Sequence, residues 1–156
     1  MVHINQMHIA TKSSKYDISK ETETAKIAKK ISKRVKKGDV LFFYGDIGVG
    51  KTTFIRYLVN NLQKKNLLKL TEVPSPTFNL LNEYELNNLS IQHYDLFRLK
   101  NINETKNIGL LENYSNFLTL IEWPEKIKKK PKKRIELRFE YKLKSEKRIL
   151  KINEFE

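Results

Sequence analysis

The eight residues Gly45-Asp46-Ile47-Gly48-Val49-Gly50-Lys51-Thr52 constrain this chain more than any other stretch. They satisfy G-x-x-x-x-G-K-[ST], and with only 5 glycines in the chain a chance match somewhere amounts to about three in a thousand. Just before them, Val40-Leu41-Phe42-Phe43-Tyr44 runs apolar and aromatic without alternation, the pattern of a strand buried on both faces. Just after, Phe54, Ile55, Leu58, Val59 and Leu62 recur on one helical face. Strand, glycine loop and helix in that order is the setting a phosphate-binding loop requires. The competing reading is a glycine-rich turn with an incidental lysine.

The chemistry expected of such a loop is specific. Glycines at 45, 48 and 50 open conformations closed to residues with a side chain, so that N–H groups of Asp46, Gly48, Val49 and Gly50 can converge on phosphate oxygens. The helix starting near Lys51 adds unsatisfied N–H groups and the positive end of its dipole. Lys51 is expected to neutralise the β- and γ-phosphates, the Thr52 hydroxyl to ligate Mg²⁺, and Thr53 to help hold the α-phosphate. No N-K-x-D element is present, which favours ATP over GTP.

Metal-assisted hydrolysis also needs an acidic group, commonly at the carboxyl end of a neighbouring strand. Glu122 follows the apolar run Phe117-Leu118-Thr119-Leu120-Ile121, and Asp95 ends Ile91-Gln92-His93-Tyr94. Each is a candidate to bind Mg²⁺ or orient the attacking water, against the plainer reading of a carboxylate capping a turn. His93 is read first as a packing or surface residue and second as a proton-transfer aid. Arg98 is a candidate transition-state cation or an ordinary surface arginine. Trp123 is a hydrophobic plug or a contact near the nucleotide.

The remaining pattern implies one domain over 1–156. A helix is expected at 19–35 with Ser19 as N-cap, and a strand around 16–18 before it. Two prolines make 73–76 an exposed loop. Segments 77–86 and 89–96 flank Asn87-Asn88, which suits a hairpin turn. A short helix interrupted near Gly109 is expected within 103–114. Clean alternation over 134–143 predicts a half-buried strand, turning at 144–147 into a partner at 148–152. The fold class is therefore α/β, a P-loop NTPase fold, with a mixed sheet of central parallel strands (40–44 and 117–121) and antiparallel hairpins (77–96 and 134–152).

Composition removes other classes. Without cysteine, disulfide scaffolds, thiolate zinc sites and thiol catalysis are excluded. Residues 1–17 show no apolar signal region and no long uncharged run follows, so no secretory signal and no membrane partner are expected, and the cytoplasm is the expected location. The formal charge of +13 points towards polyanions. However, the lysines number 25 and the arginines 6, beside 14 asparagines and 15 isoleucines, a balance that AT-rich coding produces by itself.

The motifs GDIGVGKTTF (45–54), SPTF (75–78), HYDLFRL (93–99) and IEWPE (121–125), in this order in so short a chain, resemble the TsaE (YjeE) family. That family comprises small bacterial ATPases needed to make threonylcarbamoyladenosine on tRNA, and the resemblance covers roughly 17–152. It implies that Thr52 and Glu122 belong to the magnesium site and that Asp95 is a functional acid beside it. By the same resemblance, Ser75 and Thr77 lie on a mobile loop on the γ-phosphate side, and Glu21 is a base-side contact. It implies ATP and Mg²⁺ as cofactors, Lys51, Asp95 and Glu122 as the catalytic set, and the transferase complex containing TsaB and TsaD as partner, with tRNA met indirectly or weakly. The lysine-rich connection 126–134 and Phe78 depart from the family pattern, and Arg148 is a guess for its basic contact in the terminal hairpin. A small-molecule kinase is the enzyme rival, disfavoured by scattered arginines. A basic RNA-binding module is the other rival, disfavoured because no RRM or KH signature is present.

Overall fold

In the computed structural model, which describes residues 10–101, 103–142 and 146–156, every residue of strand β2 (Val40–Tyr44) is buried. The strand lies between two parallel neighbours, β5 (Leu118–Glu122) and β6 (Arg134–Tyr141). Strand β4 (Leu89–Asp95) adds to β5, again in parallel. Antiparallel strands complete the sheet: β3 (Leu81–Leu86) on β4, β7 (Arg148–Phe155) on β6, and β1 (Lys12–Asp17) on β7. The seven-stranded order is β1-β7-β6-β2-β5-β4-β3. An α/β mixed sheet with central parallel strands and antiparallel hairpins is thus the observed class.

Helices α1 (Glu21–Ser32) and α2 (Lys51–Lys65) cover one face. Ile27, Ala28 and Ile31 of α1 and Phe54, Ile55 and Leu58 of α2 pack on Leu41, Phe43, Leu120, Leu137 and Leu150. The other face of the parallel strands, with Phe42, Tyr94 and Ile121, is closed by connections carrying Leu96, Leu99, Leu110 and Ile127. A short helix α3 (Glu104–Asn107) lies in the first of these connections. Among the described residues, no helix is long and apolar enough to cross a membrane.

Several local expectations shift. Ser19 is not the N-cap of α1: Lys20 holds that position without a side-chain cap, and the Ser19 oxygen accepts from the Arg148 N–H at 3.1 Å while its hydroxyl donates to Asp17 Oδ1 at 2.6 Å. β3 begins at Leu81, not at 77, since 77–80 form a turn in which Leu80 donates to the carbonyl of Pro76 at 2.9 Å. The helix expected at 103–114 shrinks to four residues, beyond which Gly109 takes φ +67°. β7 runs on to Phe155. Leu143 and part of the 144–147 turn lie outside the described residues.

The polar face of β6 also differs from a half-solvated strand. Arg134 and Glu136 are buried, 6% and 3% exposed. Glu136 accepts from Arg134 at 2.9 Å, from Arg138 at 3.0 Å and from the Tyr44 hydroxyl at 3.3 Å, while Lys130 donates to that hydroxyl at 2.7 Å. Burial alone would raise the Glu136 pKa, but hydrogen bonds from Arg134 and Arg138 and the charge of Lys130 hold it below the usual carboxylate value. The lysine-rich connection thus contributes one of the cations that neutralise a buried acid.

Candidate functional site

The carboxyl ends of β2, β5 and β4 lie side by side, and open α/β sheets bind ligands at such ends. Register puts Asp95 opposite Glu122, and Glu122 opposite Phe43. β2 stops at Tyr44 because Gly45 takes φ +143°; a Cβ there would stand 2.7 Å from the Phe139 carbonyl oxygen and 2.8 Å from Val49 Cγ1. Only glycine fits that approach. Gly48 and Gly50 also have positive φ, +77° and +117°. Gly50 stands as N-cap of α2, so the first N–H groups of the helix face the loop's concavity.

Lys51 opens α2 and is buried. Its Nζ donates to the carbonyls of Gly45 and, at 3.0 Å, Asp46, and lies 4.3 Å from the centroid of the Trp123 ring. Burial lowers its pKa, and the nearby carboxylates Glu122 and Asp95 oppose that shift. Thr52 Oγ1 donates to Glu122 Oε1 at 2.8 Å. Ser75 Oγ donates to Asp95 Oδ2 and lies 3.3 Å from Glu122 Oε2. The Phe97 N–H donates to Asp95 Oδ1 at 2.9 Å, fixing that carboxylate from its other side. His93, fully buried, sets Nε2 2.8 Å from Glu122 Oε2.

Lys51, Thr52, Ser75, Asp95, Phe97 and Glu122, but not His93, border a cavity of about 360 Å³ lined also by Thr53, Thr77, Arg98, Trp123 and Arg148. Thr52, Glu122 and Asp95 present a hydroxyl and two carboxylates, a hard-oxygen donor set that suits Mg²⁺. Trp123 takes φ +59°, with its ring 4.8 Å from Phe97. Arg98 stacks over the Phe78 ring at 4.5 Å at the cavity mouth.

Sequence reading thus named Gly48, Gly50, Lys51, Thr52, Thr53, Asp95 and Glu122, and the fold brings these together. Asp46 is exposed on the loop and meets Lys51 through its carbonyl. The Val49 side chain is buried in the core, while its N–H donates to the Asp46 carbonyl at 3.3 Å. Glu21 does not line the cavity; its carboxylate accepts from Arg56 at 3.0 Å and Tyr57 at 2.7 Å. Two features had no local signal. Tyr141 donates to the Gly48 carbonyl at 3.0 Å, and Arg148 Nη1 to that of Val49 at 3.4 Å, so the terminal hairpin braces the loop. The contact of His93 with Glu122 depends on strand pairing, which a local pattern does not contain.

The chain is similar to known proteins. A family model described as "Threonylcarbamoyl adenosine biosynthesis protein TsaE" matches residues 18–150. A relative from Rickettsia felis, named tRNA threonylcarbamoyladenosine biosynthesis protein TsaE, is 41% identical over 71% of the chain. Relatives of the same name from Aquifex aeolicus and Bacillus subtilis are each 34% identical, over 71% and 74% of the chain and 77% and 70% of their own lengths. The match spans 63% of the Rickettsia felis protein and 62% of its Rickettsia conorii counterpart. The crystal structure of Bacillus subtilis YdiB superposes with TM-score 0.72 at 24% identity, covering 96% of this chain and 90% of that one, a likeness of fold. With the family match running from just after β1 into β7, and the loop, Asp95 and Glu122 inside it, the chain belongs to the TsaE family.

Proposed function

We propose that the chain is a magnesium-dependent ATPase, working as one domain in the cytoplasm, that serves threonylcarbamoyladenosine modification of tRNA by acting on the transferase complex containing TsaB and TsaD. The observation that carries this reading is the 2.8 Å hydrogen bond from Thr52 to Glu122, which ties the start of α2 to the end of β5 beside the glycine loop. The names of the relatives supply the pathway.

Each residue then has a task. Thr52 and Glu122, with Asp95 beside them, would hold Mg²⁺, which when bound neutralises charge on the β- and γ-phosphoryl oxygens. Lys51 rests on two neutral carbonyls, and phosphate oxygens are stronger acceptors for its ammonium, so a triphosphate draws it off them. The backbone N–H groups of 48–53 surround the phosphates at a helix N-terminus. Asp95, held by Phe97 and Ser75, would orient a water for attack. Ser75 lies on the 73–78 loop and touches both carboxylates, so the state of the γ-phosphate is felt by that loop and passed to a docked partner.

The test is twofold. Purified protein should release phosphate from ATP in the presence of Mg²⁺, faster when the transferase complex is added. Depletion in cells should lower threonylcarbamoyladenosine in tRNA, measured by mass spectrometry, and wild type but not Lys51→Ala should restore it. Normal modification after complete depletion would remove the pathway, and rescue by Lys51→Ala would remove ATP turnover as its requirement.

A further inference from the structure

His93 sits wholly inside the protein, one pleat below the site, and polar groups are not buried without cost unless they are bonded. One ring nitrogen, Nδ1, has no hydrogen-bond partner among the described residues. The other, Nε2, lies 2.8 Å from Glu122 Oε2. An N–H at Nδ1 would find no acceptor, whereas an N–H at Nε2 meets a carboxylate oxygen. The hydrogen-bond network therefore assigns the ring proton to Nε2, which donates to Glu122.

Among the described residues, no other strong donor serves that oxygen. Thr52 donates to Oε1, at 2.8 Å. Ser75 Oγ is 3.3 Å from Oε2, but a hydroxyl has one proton, and the Ser75 proton goes to Asp95 in a shorter bond. The pleat accounts for the arrangement. Asp95 pairs with Glu122 and His93 with Leu120, so His93 and Asp95 share a face of β4 and flank the same carboxylate from below and beside. Packing alone would favour a leucine here, which fills an apolar interior without an orphaned nitrogen.

Resting on the magnesium-nucleotide reading above, we infer that His93 is a positioning residue: its Nε2–H anchors Glu122 Oε2 inward and so presents Oε1 to Thr52 and the metal site. Partners of this kind, one step behind a metal ligand, orient it and change metal affinity when removed.

The test compares His93→Gln, His93→Asn and His93→Leu. The glutamine amide reaches the place of Nε2 and can donate to Glu122; the asparagine amide reaches only the place of Nδ1. Binding of a fluorescent ADP is titrated with Mg²⁺ and repeated in EDTA, alongside thermal unfolding of the nucleotide-free protein. His93→Leu and His93→Asn should raise the Mg²⁺ concentration for half-maximal effect by about 10–100-fold, leaving affinity in EDTA unchanged, while His93→Gln stays near wild type. If His93→Leu does not fold, the contrast between the two amides decides, because they differ only in reach. A normal wild type with His93→Gln no better than His93→Asn, or with unchanged Mg²⁺ dependence and only a lower melting temperature, would reduce His93 to packing. A wild type whose ADP binding ignores Mg²⁺ would instead overturn the functional reading on which the inference rests.

Discussion

Gly45→Ala isolates the steric demand of the loop from its chemistry. The substitution keeps every polar group and adds one methyl carbon at φ +143°, 2.7 Å from the Phe139 carbonyl oxygen and 2.8 Å from Val49 Cγ1. The backbone conformation costs an alanine about 1–3 kcal/mol, and forcing β6 or Val49 aside adds about 1–3 kcal/mol. Gly48→Ala is the control. Its φ of +77° is also left-handed, but a Cβ there would meet only the Tyr141 hydroxyl at 4.0 Å, so the expected cost is about 1–2 kcal/mol. At about 2–4 °C per kcal/mol for a chain of this size, Gly45→Ala should melt roughly 4–24 °C lower and Gly48→Ala about 2–8 °C lower. Circular dichroism melts and urea titrations measure both, with the urea slope expected to stay constant because the unfolding surface is unchanged. Equal destabilisation by the two substitutions would refute the argument that close approach of β6 to the loop, rather than positive φ alone, demands glycine at 45.

Other outcomes follow from the same contacts. Lys51→Ala should cut phosphate release to background while the protein stays folded, since it deletes the cation aimed at the phosphoryl group; undiminished release would exclude the loop from the mechanism. Glu122→Gln and Asp95→Asn should depress turnover more than ATP affinity, by about 10-fold or more in kcat, and wild-type turnover of either at limiting Mg²⁺ would make that residue structural. Stability should fall with acid partly through Glu136. Its folded pKa lies below the ordinary carboxylate value of 4.5, so its contribution is complete above about 4.5 and is lost as pH drops through the lower folded value. Glu136→Gln should lose stability at neutral pH and show a shallower decline below that point; an unchanged acid transition in urea titrations at several pH values would exclude the buried ion cluster as its source.

The strands most legible in the sequence were those whose environment is uniform. Val40–Tyr44 and Leu118–Glu122 lie between parallel neighbours with both faces covered, so their apolar runs report burial directly. β6 was legible as a strand, but its surroundings were not. Alternation of Arg134, Glu136 and Arg138 with Ile135, Leu137 and Phe139 reads as one solvated face, yet Arg134 and Glu136 are buried because opposite charges meet there and Lys130 and Tyr44 close over them. A charge pattern records sign along the strand, not that Lys130 and Tyr44 will cover the cluster from outside it. Capping failed for a related reason: the Ser19 oxygen accepts from the Arg148 N–H at 3.1 Å, across the sheet, and not from the first turn of α1.

At the site, legibility follows the distance over which each residue is specified. Gly45 to Thr53 are contiguous in the chain, so spacing alone defines them. Asp95 and Glu122 stand out because each places a charge where a buried run ends, and the parallel register then sets them opposite each other. His93 carried no such mark, for a histidine amid strand residues is compatible with packing, surface or catalysis. Its relation to Glu122 arises only when β4 pairs with β5, and a one-residue slip of that register would turn the imidazole to the other face and leave Oε2 without its donor. The same dependence places Tyr141 and Arg148 on the glycine loop, since β6 and β7 must pair before either can reach the carbonyls of Gly48 and Val49. The loop's glycine and lysine spacing is therefore written locally, while its bracing, and the orientation of the carboxylate opposite it, are properties of the assembled sheet.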